Sequence, residues 1–300
     1  RRSRPWRWID AAWEIAVKTN VFLSLGAGFL TYACMLLQGI QPDWRYGLIA
    51  MLYIFAMYTI SHVTEISPAR YNYPDRAGLY EKYRMLFAIS GLLSGAAAIG
   101  LGAGLGVLPF VFLLSSTVLG NLYNIHIVPQ ALAHSVPYTR LRDIPLSKTL
   151  LAAMGWAVVT AGLPALETAW LFSPASMVAF FYAAVMGFMR SGIFDLLDIQ
   201  GDRIVGKETL PIVVGERRAR TILLASGAVS ATGLLALAST GHASWALALL
   251  LIIPVGYLAG CILLVDFRTF SRTLYYELTV DAAFFLIGLL AVSYHLIVQL

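Results

Sequence analysis

The stretch FDLLDIQGDR, residues 194–203, follows a long apolar run (residues 176–188) and decides how the chain is interpreted. Its three carboxylates, Asp195, Asp198 and Asp202, stand at positions i, i+3 and i+7. On one continuous helix these positions lie within about 60° of each other, so the carboxylates would share a face. Negative charges placed so close repel one another unless a cation lies among them. The spacing therefore predicts a cation-binding site at this point of the chain.

The competing interpretation is a solvated helix end that carries three scattered acids. We favour the site because the acids share one predicted face and because basic residues follow at once, at Arg203 and Lys207. Carboxylates at the end of a membrane helix are costly to place there and commonly serve a function. Mg²⁺ prefers carboxylate oxygens and keeps coordination places for water and for substrate phosphate. We therefore expect a hard divalent cation such as Mg²⁺.

Composition defines the class of protein. The chain has 300 residues, of which 59% are hydrophobic and only 12% charged, and its mean hydropathy is +0.75. Soluble domains carry about a quarter charged residues. We therefore expect an all-α, polytopic membrane protein that forms one domain over residues 1–300, because no linker separates two halves. Cys34 and Cys261 lie within apolar runs, so no disulfide framework is expected.

Apolar runs long enough to span a membrane recur along the chain. The first ten residues are basic and rich in tryptophan, which is typical of a segment at the membrane interface, and no signal-peptide cleavage site follows them. A glycine-rich hinge joins the third and fourth runs. We expect nine spans around a central cavity, near residues 15–38, 47–66, 85–104, 106–124, 148–167, 171–193, 220–239, 243–265 and 279–299.

The basic residues orient these spans. Most of the 21 Lys and Arg lie in the N-terminal segment and in every second loop, whereas Arg45 alone lies in a loop on the opposite side. The positive-inside rule then places the N-terminus and the long loops, including the acidic stretch, in the cytoplasm of a bacterial or archaeal cell. The same asymmetry explains the net charge of +5 without nucleic acid as a partner.

A second block repeats the acidic spacing. The second predicted span ends in HVTEISPAR, residues 62–70, where His62, Glu65 and Ala69 take the i, i+3 and i+7 positions. Two such blocks facing each other would hold a diphosphate through metal ions. Only Glu65 is a hard anionic ligand in this block. His62 is either structural or a partner for phosphate or a softer metal.

These motifs resemble the UbiA superfamily of intramembrane prenyltransferases. DxxDxxxDR (residues 195–203), with the glycines and the TLP of residues 206–215, is similar to the second aspartate-rich motif of that family. RLRDIPLSK (residues 140–148) is similar to the basic loop and helix start before its fifth span. The first motif, typically NDxxDxxxD, falls on residues 61–69, where its Asn and two of its three Asp are absent.

The resemblance implies Mg²⁺-dependent transfer of an isoprenyl group from an allylic diphosphate to a lipophilic acceptor in the membrane. It implies that Asp195, Asp198, Asp202 and Glu65 bind metal and that Lys148 joins the aspartates in catalysis. Aromatic rings would stabilise the allylic cation, with Tyr58, Tyr123 and Tyr138 as candidates. The implied contacts to substrate are Lys18, Asn20, His62, Glu65, Tyr138, Arg142, Arg203 and Lys207.

Other interpretations stay open at this point. The altered first motif fits a non-catalytic relative that keeps the fold and a lipid cavity, whereas the retained aspartates argue against it. A transporter or scaffold would place charges at the midplane, which is almost uncharged here. The spacing expected of a phosphotransferase acting on lipid alcohols is absent. Arg190 points about 140° away from Asp195 on a helix, so it either pairs with another helix or snorkels to an interface.

Overall fold

The computed structural model describes residues 7–64, 66–122, 146–167, 172–264 and 273–299. These residues form helices joined by short connections. The helices are α1 (Arg7–Lys18), α2 (Val21–Leu37), α3 (Trp44–Thr64), α4 (Ile66–Asn72), α5 (Pro74–Lys82), α6 (Arg84–Leu105), α7 (Val107–Leu122), α8 (Ser147–Ala157), α9 (Leu163–Ala165), α10 (Pro174–Leu197), α11 (Ile199–Val205), α12 (Leu210–Val214), α13 (Glu216–Ser239), α14 (Trp245–Leu264) and α15 (Thr273–Gln299). A π-helical turn, Val158–Gly162, joins α8 to α9.

The prediction of an all-α membrane protein is confirmed, whereas the count of nine spans is not. Within the described ranges, seven helices are long and apolar enough to cross a membrane: α3, α6, α10, α13, α14, most of α15 and the combined α8–α9. The end of α1 and all of α2 form an eighth crossing if the bent pair is one span. The apolar part of α7, Val107–Gly120, is shorter than a full span.

The first predicted span, 15–38, is broken. The chain bends by 71° between α1 and α2, at Asn20, whose φ of 64° lies in the left-handed region. Asparagine is among the few residues that tolerate this conformation outside glycine. The Asn20 side chain donates a hydrogen bond from Nδ2 to Tyr80 Oη at 2.9 Å. This long-range contact with α5 holds the break in place.

Small residues let the central helices approach closely. A Cβ atom at Gly187 would lie 3.1 Å from the Cβ of Trp156, and one at Gly192 would lie 2.4 Å from a methyl group of Leu223. Both glycines belong to α10, which thereby packs tightly against α8 and α13. Helices in lipid associate through this kind of close packing. The position of α10 is fixed as a result, including the end that carries Asp195.

The outer surface of the bundle is apolar. Leu93, Val107 and Leu249 are more than half exposed, as expected of side chains that face lipid. Cys34 and Cys261 form no disulfide, in agreement with their position in apolar runs.

Charged and polar residues gather where α3 and α10 end and α2, α8 and α15 begin, which we call the site end of the bundle. The short helices α4 and α5 and the pair α11 and α12 lie there. They close part of the bundle, and α4, α5 and the loop between α11 and α12 supply side chains to the cavity described next.

Candidate functional site

A polar cavity opens at the site end and encloses about 1010 Å³, including its open mouth. Seven of the residues predicted from the sequence line it: Asn20, Tyr58, His62, Lys148, Asp195, Asp198 and Lys207. They come from five separate segments of the chain. The fold therefore brings the acidic stretch and the start of α8 to one place.

The acidic stretch is not one continuous helix. Helix α10 ends at Leu197, Asp198 takes φ −93° and ψ 5° at its C-terminus, and α11 begins at the next residue. The prediction that the three aspartates share one helix face is therefore wrong. Backbone hydrogen bonds still bridge the junction, since the Asp202 amide donates to the Asp198 carbonyl at 2.9 Å. In the described part of the chain, no three His, Cys, Asp or Glu side chains converge closely enough to hold a metal by themselves.

The first turn of α8 holds Asp195. Thr149 is buried and donates a hydrogen bond from Oγ1 to Asp195 Oδ2 at 2.7 Å. Lys148, the residue before it, lines the same cavity. Leu146 begins this turn with a left-handed φ of 68°, and its amide donates to the Glu208 carbonyl at 3.2 Å. The loop after α11 thus anchors the start of α8 beside the acids.

Asp198 faces the connection between α4 and α5. The hydroxyl of Tyr73 hydrogen-bonds to its carboxylate. Burial raises the pKa of Asp198 to about 8, and the negative charge of Asp202 acts in the same direction. The ionised form of a carboxyl group held in this way is stabilised by any cation that comes into contact with it.

Asp202 lies behind the cavity wall. It is 3% exposed, accepts a hydrogen bond from Asn72 Nδ2 at 3.2 Å and has Lys207 Nζ 3.8 Å from its Oδ1. Asn72 reaches it because residue 201 is glycine, where an added Cβ would lie 1.5 Å from Asn72 Oδ1. The close approach of α4 to α11 therefore depends on Gly201.

The other predicted residues differ in whether they line the cavity. Lys18 pairs with Glu14 at 2.6 Å and Arg203 is exposed, and neither lines the cavity. His62 lines it, with its ring perpendicular to that of Tyr80 at 5.2 Å, and its buried Nε2 has no hydrogen-bond partner among the described residues. Several predictions lie outside the described residues, namely Glu65, Tyr123, Tyr138 and Arg142.

Two buried ion pairs, which we call the α15 ion pairs, were not predicted. Arg76 of α5 pairs with Glu277, and Arg190 of α10 pairs with Asp281. Arg190 binds both carboxylate oxygens, from Nε to Oδ1 at 2.6 Å and from Nη2 to Oδ2 at 3.3 Å. Of the alternatives for Arg190, the structure has the pairing with another helix. An Asp within a predicted span needs a cationic partner, which was the one signal in the sequence for this pair.

Fold and cavity together define a class, that of polytopic helical membrane proteins with acids and lysines around one polar opening. The model of the UbiA prenyltransferase family matches residues 27–289, so the chain belongs to this family. A comparison with curated proteins found no match.

Solved structures show the same fold at low sequence identity. A UbiA homologue from Archaeoglobus fulgidus bound to DMAPP and Mg²⁺ superposes with a TM-score of 0.61 at 15% identity, covering 92% of this chain and 98% of that one. The same homologue bound to GPP and Mg²⁺ gives a TM-score of 0.61 at 15% identity, covering 92% of this chain and 99% of that one. A structure of digeranylgeranylglyceryl phosphate synthase gives a TM-score of 0.56 at 13% identity, covering 94% of this chain and 96% of that one.

Proposed function

We propose that this protein transfers an isoprenyl group from an allylic prenyl diphosphate to a lipophilic acceptor within the membrane, in a reaction that depends on Mg²⁺. The observation that carries the proposal is one cavity lined by Asp195, Asp198, Lys148 and Lys207 at the end of an apolar bundle. Family membership supports the class of reaction. The ligands of the archaeal homologue, DMAPP or GPP with Mg²⁺, support the donor and the metal.

The donor set fits Mg²⁺. Mg²⁺ in phosphate-transfer sites is bound through one or two carboxylates, while waters and substrate phosphates fill the other places. Asp195 and Asp198 line the cavity and would provide these carboxylates, with Asp202 buried nearby, and we propose Glu65 as a further ligand. When bound, the metal supplies positive charge that offsets the charge of the diphosphate. The described acids do not form a closed cage, which agrees with a site completed by the substrate.

The cationic and neutral donors of the cavity would hold the diphosphate. Lys148 and Lys207 line the wall beside the aspartates and would bind phosphate oxygens. Asn20 and His62 lie on the same wall and would add hydrogen bonds. In our proposal Arg142 and Tyr138 extend this set, and Lys18 and Arg203 act at its periphery.

The proposed reaction exchanges one bond at the first prenyl carbon for another. The bond between the first prenyl carbon and the ester oxygen breaks, and both electrons leave with the diphosphate. An electron pair of the acceptor forms the new bond to that carbon, and the acceptor loses a proton. Tyr58 and Phe194 line the inner cavity and would face the allylic cation. In our proposal the site end faces the cytoplasm, as the distribution of Lys and Arg predicts.

A non-catalytic lipid-binding or scaffold protein is the second candidate. It is favoured by one observation, that the end of α3 presents His62, packed against Tyr80, where the family motif has an acid. Binding of a prenyl diphosphate without its cleavage would be the property of such a protein.

The experiment measures diphosphate release. Purified protein in lipid nanodiscs is given geranyl, farnesyl or geranylgeranyl diphosphate, with Mg²⁺ or with EDTA, and with extracts of membrane lipids as acceptors. Asp198→Asn is compared with Asp43→Asn, a control in the connection between α2 and α3, where Asp43 pairs with the exposed Arg45. We expect release that requires Mg²⁺ and persists in Asp43→Asn but not in Asp198→Asn. Tight binding without release supports the second candidate, and neither binding nor release contradicts both.

A further inference from the structure

The hydroxyl of Tyr58 is held from two sides. Its oxygen accepts a hydrogen bond from Trp156 Nε1 at 3.1 Å and another from Arg190 Nη1 at 3.2 Å. Both donors are fixed, because Trp156 is fully buried and stacked on Phe284 at 4.7 Å, and Arg190 is clamped by Asp281. The position of this oxygen is therefore set by three neighbouring helices.

The hydrogen of the same hydroxyl is not used in these two hydrogen bonds, in which the oxygen is the acceptor. A phenol donates one hydrogen bond in addition to those it accepts. In the ranges that the structure describes, Tyr58 donates to no protein group, although its side chain lines the cavity. Tyr58 is half-buried and faces the cavity, so this hydrogen is available to bind an acceptor that enters the cavity.

The depth of Tyr58 identifies the part of a ligand that it meets. Arg190 lies five residues before Asp195 on α10, which is about 7.5 Å along the helix. Tyr58 lies four residues before His62 on α3, about 6 Å further from the site end. A diphosphate held at the aspartates would therefore direct its inner end, the ester oxygen bonded to the prenyl carbon, toward this hydroxyl.

We propose that Tyr58 donates a hydrogen bond to the ester oxygen of the prenyl diphosphate and stabilises the charge that develops there. This inference rests on the proposed function. As the carbon–oxygen bond breaks, both electrons move to the ester oxygen, and the hydrogen bond to it strengthens while the proton stays on Tyr58. Arg190 and Trp156 polarise the hydroxyl by withdrawing electron density from its oxygen. Donors fixed in advance at a developing oxyanion accelerate such steps.

An intramembrane arginine and aspartate are consistent with this role. A buried ion pair adds little to stability when compared with apolar side chains of the same volume, and charges within a membrane bundle commonly serve a function. Arg190 also lies over the rings of Tyr58 and Phe194, at 5.2 and 4.7 Å from their centres. Arg190 is thus a positioning residue for the hydroxyl of Tyr58.

The test removes only this hydroxyl. Tyr58→Phe keeps the aromatic ring that lines the cavity. Tyr182→Phe is the matched control, because the Tyr182 hydroxyl is also buried but donates to the backbone carbonyl of Leu251 and does not line the cavity. Single-turnover release of diphosphate from geranyl diphosphate is measured for both variants. We expect a loss of about 100-fold in Tyr58→Phe, the lower value for one oxyanion donor, and little change in Tyr182→Phe.

A binding measurement tests the contact itself. Geranyl diphosphate is compared with geranyl S-thiolodiphosphate, in which sulfur, a weak acceptor, replaces the ester oxygen. The wild-type protein should prefer the oxygen ligand by about fivefold, the effect of one hydrogen bond, and Tyr58→Phe should lose this preference. This comparison decides the inference even if the wild-type protein binds without release and the proposed transfer fails.

Four results would overturn the inference. One is an unchanged rate of release in Tyr58→Phe, and another is a preference for the oxygen ligand that survives in this variant. The third is a wild-type protein that binds neither ligand, which would refute the proposed function as well. Equal losses in Tyr58→Phe and Tyr182→Phe, with lowered melting temperatures, would assign Tyr58 a structural role and also contradict the inference.

Discussion

The ion pair between Arg190 and Asp281 allows a quantitative prediction. Both side chains are buried, at 8% and 3% exposure, and the guanidinium donates to both carboxylate oxygens. Asp281→Asn keeps the shape of the side chain but removes its charge, leaving the guanidinium buried without its counter-ion. Breaking a buried pair on one side costs about 3–5 kcal/mol. We expect the lower part of this range, because Glu277 lies one turn away on the same helix and offsets part of the charge.

A double variant distinguishes two causes of lost stability, the missing ion pair and the unpaired charge that the single variant leaves buried. Arg190→Gln combined with Asp281→Asn removes both charges, so we expect it to recover most of the free energy of unfolding that Asp281→Asn loses. The exposed pair of Asp43 and Arg45 provides the control, where Asp43→Asn should change stability by less than about 1 kcal/mol.

The assay is reversible unfolding in mixed micelles of a mild detergent and SDS, followed by tryptophan fluorescence. The reasoning is refuted if Asp281→Asn unfolds with a free energy within about 1 kcal/mol of wild type, because a buried guanidinium without its counter-ion should destabilise the protein by more than that. It is equally refuted if the double variant is as unstable as the single one.

Four further predictions concern the site. Gly201→Ala should push Asn72 away from Asp202, since the added Cβ would lie 1.5 Å from Asn72 Oδ1, and should weaken Mg²⁺ binding measured by calorimetry, whereas Gly256→Ala, where a Cβ meets open space, should not. Between about pH 6 and pH 8, Mg²⁺ affinity should rise about tenfold per pH unit and then level off, because the metal must displace the proton of Asp198; Asp198→Asn should abolish the dependence in this pH range. The stability of the metal-free protein should change in the opposite direction and fall as the pH rises from about 4 to 8. The reason is that the folded state holds the proton of Asp198 more tightly than the unfolded chain does. Mg²⁺ should tighten the binding of inorganic pyrophosphate, and pyrophosphate should tighten the binding of Mg²⁺ by the same factor; independent binding would contradict a shared site.

The helices were predictable from the sequence because apolar length is a direct consequence of the thickness of a membrane. Each predicted run overlaps one or more described helices, yet two breaks were missed, at Asn20 and at Asp198. Both breaks are stabilised by side chains far away in the sequence, Tyr80 in the first case and Tyr73 in the second. Apolar periodicity carries no information about such contacts.

The site was predictable where a motif marks it and not where two helices meet. Asp195, Asp198 and Lys148 line the cavity as the motifs indicated. Asn72 and Arg76 were not foreseen, because their roles depend on pairing with α11 and α15. These pairings join segments more than 100 residues apart, and no local spacing encodes them.

The charges of the cavity explain why a metal and a diphosphate would bind together. The α15 ion pairs neutralise their own arginines, so they add little net charge to the opening. Once the proton of Asp198 is displaced, the remaining charged residues that line the cavity are Lys148 and Lys207 on one hand and Asp195 and Asp198 on the other, which also balance. A diphosphate alone would bring several negative charges next to two carboxylates, and a metal alone would lie near two lysines. Each ligand is repelled by one half of the site and is attracted by the other ligand, so joint entry is favoured over either separate step.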